Sequence, residues 1–218
     1  MITGSARGRP LEGPPGPSTR PTSDKIKGAV FSMLETYLPL VGGDDPGSAG
    51  RPKLSEPESR WLGRRVLDLY AGTGALGIEA LSRGAAWADF VDASRACERV
   101  IRRNLETTEL AGRAGVVVAR ALSALGRGAE LGLAGAYDLV LVDPPYGDVT
   151  LGPVLTVLGV GDVVARGGLV VVEHSRRAPP GEPCDGLRLL QRRRHGDTEI
   201  SLYLRLEQGA SEQDSWPG

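Results

Sequence analysis

Asp143, Pro144, Pro145 and Tyr146 stand together directly after an apolar run, Tyr137 to Val142. Two consecutive prolines fix φ and carry no backbone N–H, so the chain there is rigid and offers carbonyls only. An ionised carboxylate likewise accepts hydrogen bonds and donates none. An acceptor-only acid, an outward proline carbonyl and an aromatic face are well suited to gripping a flat base by its exocyclic amino group. The apolar run reads as a buried parallel strand, and open α/β sheets bind ligands at the carboxyl ends of such strands. The plainer alternative is a Pro-Pro turn with a packing tyrosine.

A second set of residues could hold the group that reacts with that base. Gly72, Gly74 and Gly77 follow another apolar run with the spacing GxGxxG. Glycines there permit a tight turn and let backbone approach a ligand closely. The spacing alone fits a nicotinamide cofactor or S-adenosylmethionine. Asp92, at the end of the next apolar run, suits the ribose hydroxyls of either. Asp68, four residues before the first glycine, suits a cofactor with an ammonium group, and that favours S-adenosylmethionine. The expected cofactor-binding residues are Asp68, Tyr70, Ala71, Gly72, Thr73, Gly74, Asp92, Ala93, Ala121 and Leu122.

The elements that must position these groups alternate along the chain. Strands are expected over 66–70, 88–92, 115–119, 137–142 and 168–173, and helices over 75–83, 94–107, near 122 and over 150–160. Ser94 is the N-cap of the second of these helices, and Pro153 sits in the first turn of the last. Two further runs, 187–194 and 198–206, joined by His195-Gly196-Asp197, read as a β-hairpin. The pattern predicts an α/β fold: a Rossmann-like, seven-stranded, mostly parallel sheet with an antiparallel C-terminal hairpin. An additional helix starts near Ser23, with Thr22 or Ser23 as N-cap and Ile26, Val30, Met33, Leu34 and Tyr37 on one face. Residues 1–21 read as a small N-terminal basic arm with a short strand candidate at Ile2–Ser5. Residues 22–207 are the catalytic domain, 41–60 a flexible loop and 208–218 a disordered tail. Glu173 and His174 fall at a strand's carboxyl end, near the expected cleft.

The bulk composition excludes little. With 218 residues, 40% hydrophobic and 24% charged, the chain is an ordinary globular protein. Its net charge of −1 advertises no polyanion partner. Charge is uneven, though: residues 1–27 carry a net charge of +3, and Arg192-Arg193-Arg194 forms a second basic run. Arg7, Arg9, Arg20, Arg192, Arg193 and Arg194 are therefore the candidates for phosphate contacts. Cys97 and Cys184 match no metal or redox spacing, so no metal is expected. No apolar run is long enough to span a membrane, and no signal peptide is legible, so a cytoplasmic monomer is expected.

Several blocks together resemble one family, the small-subunit ribosomal RNA guanine-N2 methyltransferases known as RsmD. They are Ile2 to Arg9, Arg20 to Lys25, Asp68 to Gly84, Asp143 to Tyr146, Val172 to Ser175 and Gly196 to Thr198. The first two blocks are the specific ones, since the glycine turn and the Asp-Pro-Pro-Tyr tetrapeptide recur in many methyltransferases. The resemblance implies methyl transfer from S-adenosylmethionine to the exocyclic N2 of a guanine. Its substrate would be ribosomal RNA or the small ribosomal subunit, and Asp143, Pro144, Pro145 and Tyr146 would be the catalytic residues. One departure stands out. Related enzymes often carry an acidic or amide residue where this chain has Arg120, and arginine cannot accept a hydrogen bond from the cofactor's adenine. Three alternatives remain at this level: a DNA adenine-N6 methyltransferase, a non-catalytic RNA-binding factor of ribosome assembly, and a nicotinamide oxidoreductase, which leaves Asp143 to Tyr146 unexplained.

Overall fold

The computed structural model describes residues 1–13, 24–40, 60–133, 135–145, 147–180 and 185–206. Its strands are β1 (Arg65–Leu69), β2 (Trp87–Asp92), β3 (Ala114–Val118), β4 (Tyr137–Val142), β5 (Val164–Ser175), β6 (Leu187–His195) and β7 (Thr198–Arg205). They form one sheet in the order β3-β2-β1-β4-β5-β7-β6. The first five pair in parallel, and β7 lies antiparallel between β5 and β6. This is the expected Rossmann-like sheet with its C-terminal hairpin.

Every residue of β4 is buried. A strand apolar on both faces is stable only when both are covered, as in parallel α/β sheets. On one face lie residues 1–13, α1 (Asp24–Tyr37), α2 (Ala75–Ser82) and α3 (Arg95–Thr107), packed on Val66, Phe90, Leu139, Leu141, Val171 and Leu202. On the other lie α4 (Ala121–Gly126) and α5 (Leu151–Val160), packed on Leu67, Leu69, Val91, Val140, Val142 and Val172. Successive strand residues alternate between the two clusters because the side-chain period of a strand is two. Each large side chain buried this way contributes about 1.5–3 kcal/mol.

Ser94 caps α3 as expected, its side chain accepting from Ala96 N and Cys97 N. Two expectations need correction. Ile2–Ser5 is not a strand. Its backbone groups go to α2 instead: Ile2 N and Thr3 N donate to the Glu79 carboxylate at 2.8 and 3.0 Å, and Ser5 N to Ser82 O at 2.9 Å. Gly4 takes φ +81° there, and a Cβ on it would sit 1.8 Å from Ser82 O. Apolar character alone could not reveal that a buried glutamate replaces a neighbouring strand. Second, β5 starts four residues before its apolar run, because its pairing with β4 passes through an irregularity between Tyr137 and Leu139. The expected caps Thr22 and Ser23, Arg20, residues 41–59, Tyr146, Cys184 and the tail lie outside the described residues. Among those described, no helix is long and apolar enough to cross a membrane.

Candidate active site

The strand order reverses between β1 and β4, so the switch point of the sheet opens between the turn after β1 and the segment after β4. Both motifs singled out in the sequence flank that crevice. Asp143 N reaches Leu69 O at 3.5 Å, tying the end of β4 to the end of β1.

On the β1 side the glycine turn is held by carboxylates. Gly74 enters α2 in the left-handed region, φ 77°. Asp92 accepts from Gly72 N at 2.9 Å and from Ser94 N at 2.8 Å. A carboxylate has about four acceptor sites, so Asp92 keeps capacity for ribose hydroxyls. Asp68 accepts from Gly77 N at 2.8 Å and is 1% exposed. Burial pushes its carboxyl well above the ordinary range, with the charges of Asp143 and Asp92 adding to the effect against the Gly77 hydrogen bond. Asp68 thus braces the helix start, a role that its spacing did not show. Ala71 and Ala121 are buried, Gly72, Thr73 and Leu122 half-buried, and Ala93 exposed. Arg120, at the N-cap of α4, is exposed and makes no side-chain cap.

Tyr70 adopts φ 60°, a conformation that costs a non-glycine residue about 1–3 kcal/mol. Its hydroxyl meets Thr150 Oγ1 at 3.0 Å, and Thr150 binds Asp148 through Oγ1 and N at 2.6 and 2.7 Å. A residue expected to serve only the cofactor therefore also pins the segment that follows the tetrapeptide. Asp148 and Thr150 escaped the sequence reading, because neither falls in a recognisable pattern.

On the β4 side Asp143 is half-buried, Pro144 buried and Pro145 exposed. Glu173 stands at the same level of the next strand, since Val142 pairs with Val172. It is 8% exposed and its Oε2 has no hydrogen-bond partner among the described residues. Burial, and then the charge of Asp143, raise its pKa to about 8. Three carboxyl groups, Asp68, Asp143 and Glu173, thus line the β1, β4 and β5 ends. Among the described residues no group of His, Cys, Asp and Glu is disposed to hold a metal ion.

Neighbouring His174 plays a different part. Its Nδ1 lies 3.1 Å from Ser175 O, a pure acceptor, so Nδ1 carries the proton and Nε2 accepts from Ser201 Oγ at 2.9 Å. Burial lowers its pKa, which keeps this neutral form. A cavity of about 50 Å³ lies beside it, between Pro144, Pro145 and α5, too small for a base.

The basic candidates are dispersed. Arg7 is exposed, whereas Arg9 donates to Thr107 O at 2.6 Å and pairs with Glu109 at 3.0 Å. On the edge strand β6, Arg193 pairs with Ile200 on the α1 face, while Arg192 and Arg194 pair with Ser201 and Glu199 on the other. Arg194 is bonded to Glu199 at 3.0 Å. The run of three therefore does not form one patch.

The family described as conserved hypothetical protein 95 matches residues 1–204. Ribosomal RNA small subunit methyltransferase D of Escherichia coli (strain K12) is 32% identical over 215 residues, 98% of this chain and 93% of that protein. The solved structure of a hypothetical protein from Thermus thermophilus is 26% identical with a TM-score of 0.68, covering 92% of this chain and 96% of that one. A more distant structure, SMU.776 complexed with SAH, shares the fold at 14% identity and a TM-score of 0.54, over 66% of this chain and 46% of its own. The likeness runs the length of the chain and takes in both sides of the crevice, and the chain belongs to the RsmD family of methyltransferases.

Proposed function

We propose that the protein transfers a methyl group from S-adenosylmethionine to the exocyclic N2 of a guanine in small-subunit ribosomal RNA. The observation that carries this reading is the juxtaposition of Asp143-Pro144-Pro145 with the carboxylate-braced glycine turn across one switch crevice. The turn fits the cofactor: Gly72 and Gly74 bring backbone close, Asp92 keeps free acceptor sites, and Ala121 and Leu122 border the place of the adenine. S-adenosylmethionine, when bound there, supplies an electrophilic methyl group on a positively charged sulfur.

The protein's own residues do the rest. A guanine amino group is a weak nucleophile because its lone pair is delocalised into the ring. Asp143 and the Pro144 carbonyl accept its two N–H bonds, which turns the lone pair out of the ring plane toward the methyl group. This is alignment together with electrostatic preorganisation. The surplus proton on N2 leaves afterwards, to Asp143 or to water. Tyr146 stacks on the base, worth about 1–3 kcal/mol, against the few kcal/mol needed to unstack it. Arg7, Arg9, Arg20, Arg192, Arg193 and Arg194 meet RNA phosphates.

The test is methyl transfer from radiolabelled S-adenosylmethionine to small ribosomal subunits lacking guanine methylation, with the product nucleoside identified by mass spectrometry. N2-methylguanosine is expected. Labelled N6-methyladenosine, or no transfer with cofactor bound, would refute the assignment.

A further inference from the structure

We propose that Glu173 is the specificity-determining residue that reads the N1–H and O6 of the target guanine, beside Asp143 on the amino group. The inference rests on the reading above and names the part of the base that its residues leave unread.

Asp143 and Glu173 follow Val142 and Val172, which are register partners on β4 and β5. Adjacent strands lie about 4.8 Å apart, a spacing that lets two carboxyl groups converge on neighbouring positions of one purine edge. Glu173 is 8% exposed, and its Oε2 has no hydrogen-bond partner among the described residues. Buried polar atoms are nearly always paired, and leaving one unpaired opposes folding. What sets this atom apart is its place at the ligand-binding end of a strand, next to the proposed catalytic acid, where a ligand donor can reach it.

Guanine alone among the four bases places a ring N–H next to an exocyclic amino group. Adenine and cytosine have a lone pair at that ring position, and uracil has no amino group. An acceptor at Glu173 together with the acceptor at Asp143 therefore matches guanine and no other base. Burial and the Asp143 charge keep Glu173 protonated at neutral pH. A neutral carboxyl presents its carbonyl oxygen to N1–H and its hydroxyl to O6, two parallel bonds in the plane of the base. His174 offers no competing partner, since both its nitrogens are engaged with Ser175 O and Ser201 Oγ.

The test uses small subunits reconstituted around RNA in which the mapped guanine is replaced by 2-aminopurine, which keeps the amino group and lacks both N1–H and O6. Wild-type protein should prefer guanine in kcat/KM by on the order of 100-fold. Glu173→Leu should bring that ratio close to one, chiefly by lowering kcat/KM on guanine. Glu173→Gln, whose amide has the same acceptor and donor pattern, should retain most of it. Thermal unfolding and calorimetric binding of S-adenosylmethionine check that each variant is intact, and Glu173→Met replaces the leucine variant if that one fails to fold. A ratio unchanged in Glu173→Leu, or lost equally in Glu173→Gln, overturns the proposal. Failure of the wild type to methylate guanine at all would instead overturn the function on which it rests.

Discussion

The two sides of the crevice use carboxyl groups in opposite ways. At the ends of β1 and β2, Asp68 and Asp92 already hold backbone N–H groups of Gly77, Gly72 and Ser94. At the end of β5, Glu173 holds an oxygen for which the described residues supply no donor. The first side is finished by folding alone. The second, on the role proposed for Glu173, is completed by a ligand, at the expense of stability.

Replacing Asp143 by alanine is the largest expected disturbance. Methyl transfer should fall by about 100- to 1000-fold, with binding of S-adenosylmethionine nearly unchanged by calorimetry. A parallel loss of cofactor affinity would erase the distinction between the sides. The next effect is on pH. Unfolded Glu173 ionises near its ordinary value of 4.5, whereas the folded residue keeps its proton to about 8. The native state therefore binds the extra proton between these values, and stability falls as pH rises through that window. Asp68 acts in the same direction. Denaturant titrations of Glu173→Gln between pH 5 and 8 should show a flatter slope than wild type; an equal slope would mean that Glu173 is not the group responsible.

The scaffold side should respond in stability first. Asp92→Ala leaves Gly72 N and Ser94 N without their acceptor, a cost of about 1–3 kcal/mol, accompanied by weaker cofactor binding. Gly77→Ala places a Cβ 2.4 Å from the Phe90 ring and 3.1 Å from Asp68 Oδ2, an overpacking of about 1–3 kcal/mol. Tm would register both. The smallest effect is that of Arg9→Ala, where an exposed ion pair with Glu109 is lost, under about 1 kcal/mol. If Arg9 also meets phosphate, the salt dependence of RNA binding should lose about one unit of slope.

Much of the site was legible because its signals are local. Proline and glycine restrict φ and ψ within a few residues, so Asp143 to Pro145 and Gly72 to Gly77 announced their turns wherever the chain went. Glu173 was placed near the cleft only by its position at a strand's end, with no local restriction to fix its role. It reads as the polar end of an apolar run, and its meaning depends on β5 lying beside β4 in one particular register. The basic run at 192–194 shows the converse, since three neighbours in sequence alternate between two faces of a strand and form no single patch. Ile2–Ser5 looked extended, and its true partner was the buried Glu79, more than seventy residues distant.

Residue order alone sufficed for the alternation of strands and helices, the C-terminal hairpin, and the glycine turn after β1. All of these follow from backbone preferences and hydrophobic period, which act over a few residues. Pairing between distant segments decided the rest: the placing of β7 inside β6, the docking of residues 1–13 on α2 and α3, the tie from Tyr70 to Thr150, and the meeting of Asp143 with Glu173. Such contacts form only when loops close and water is excluded, so their energies belong to the folded whole and leave no trace in any short stretch of chain.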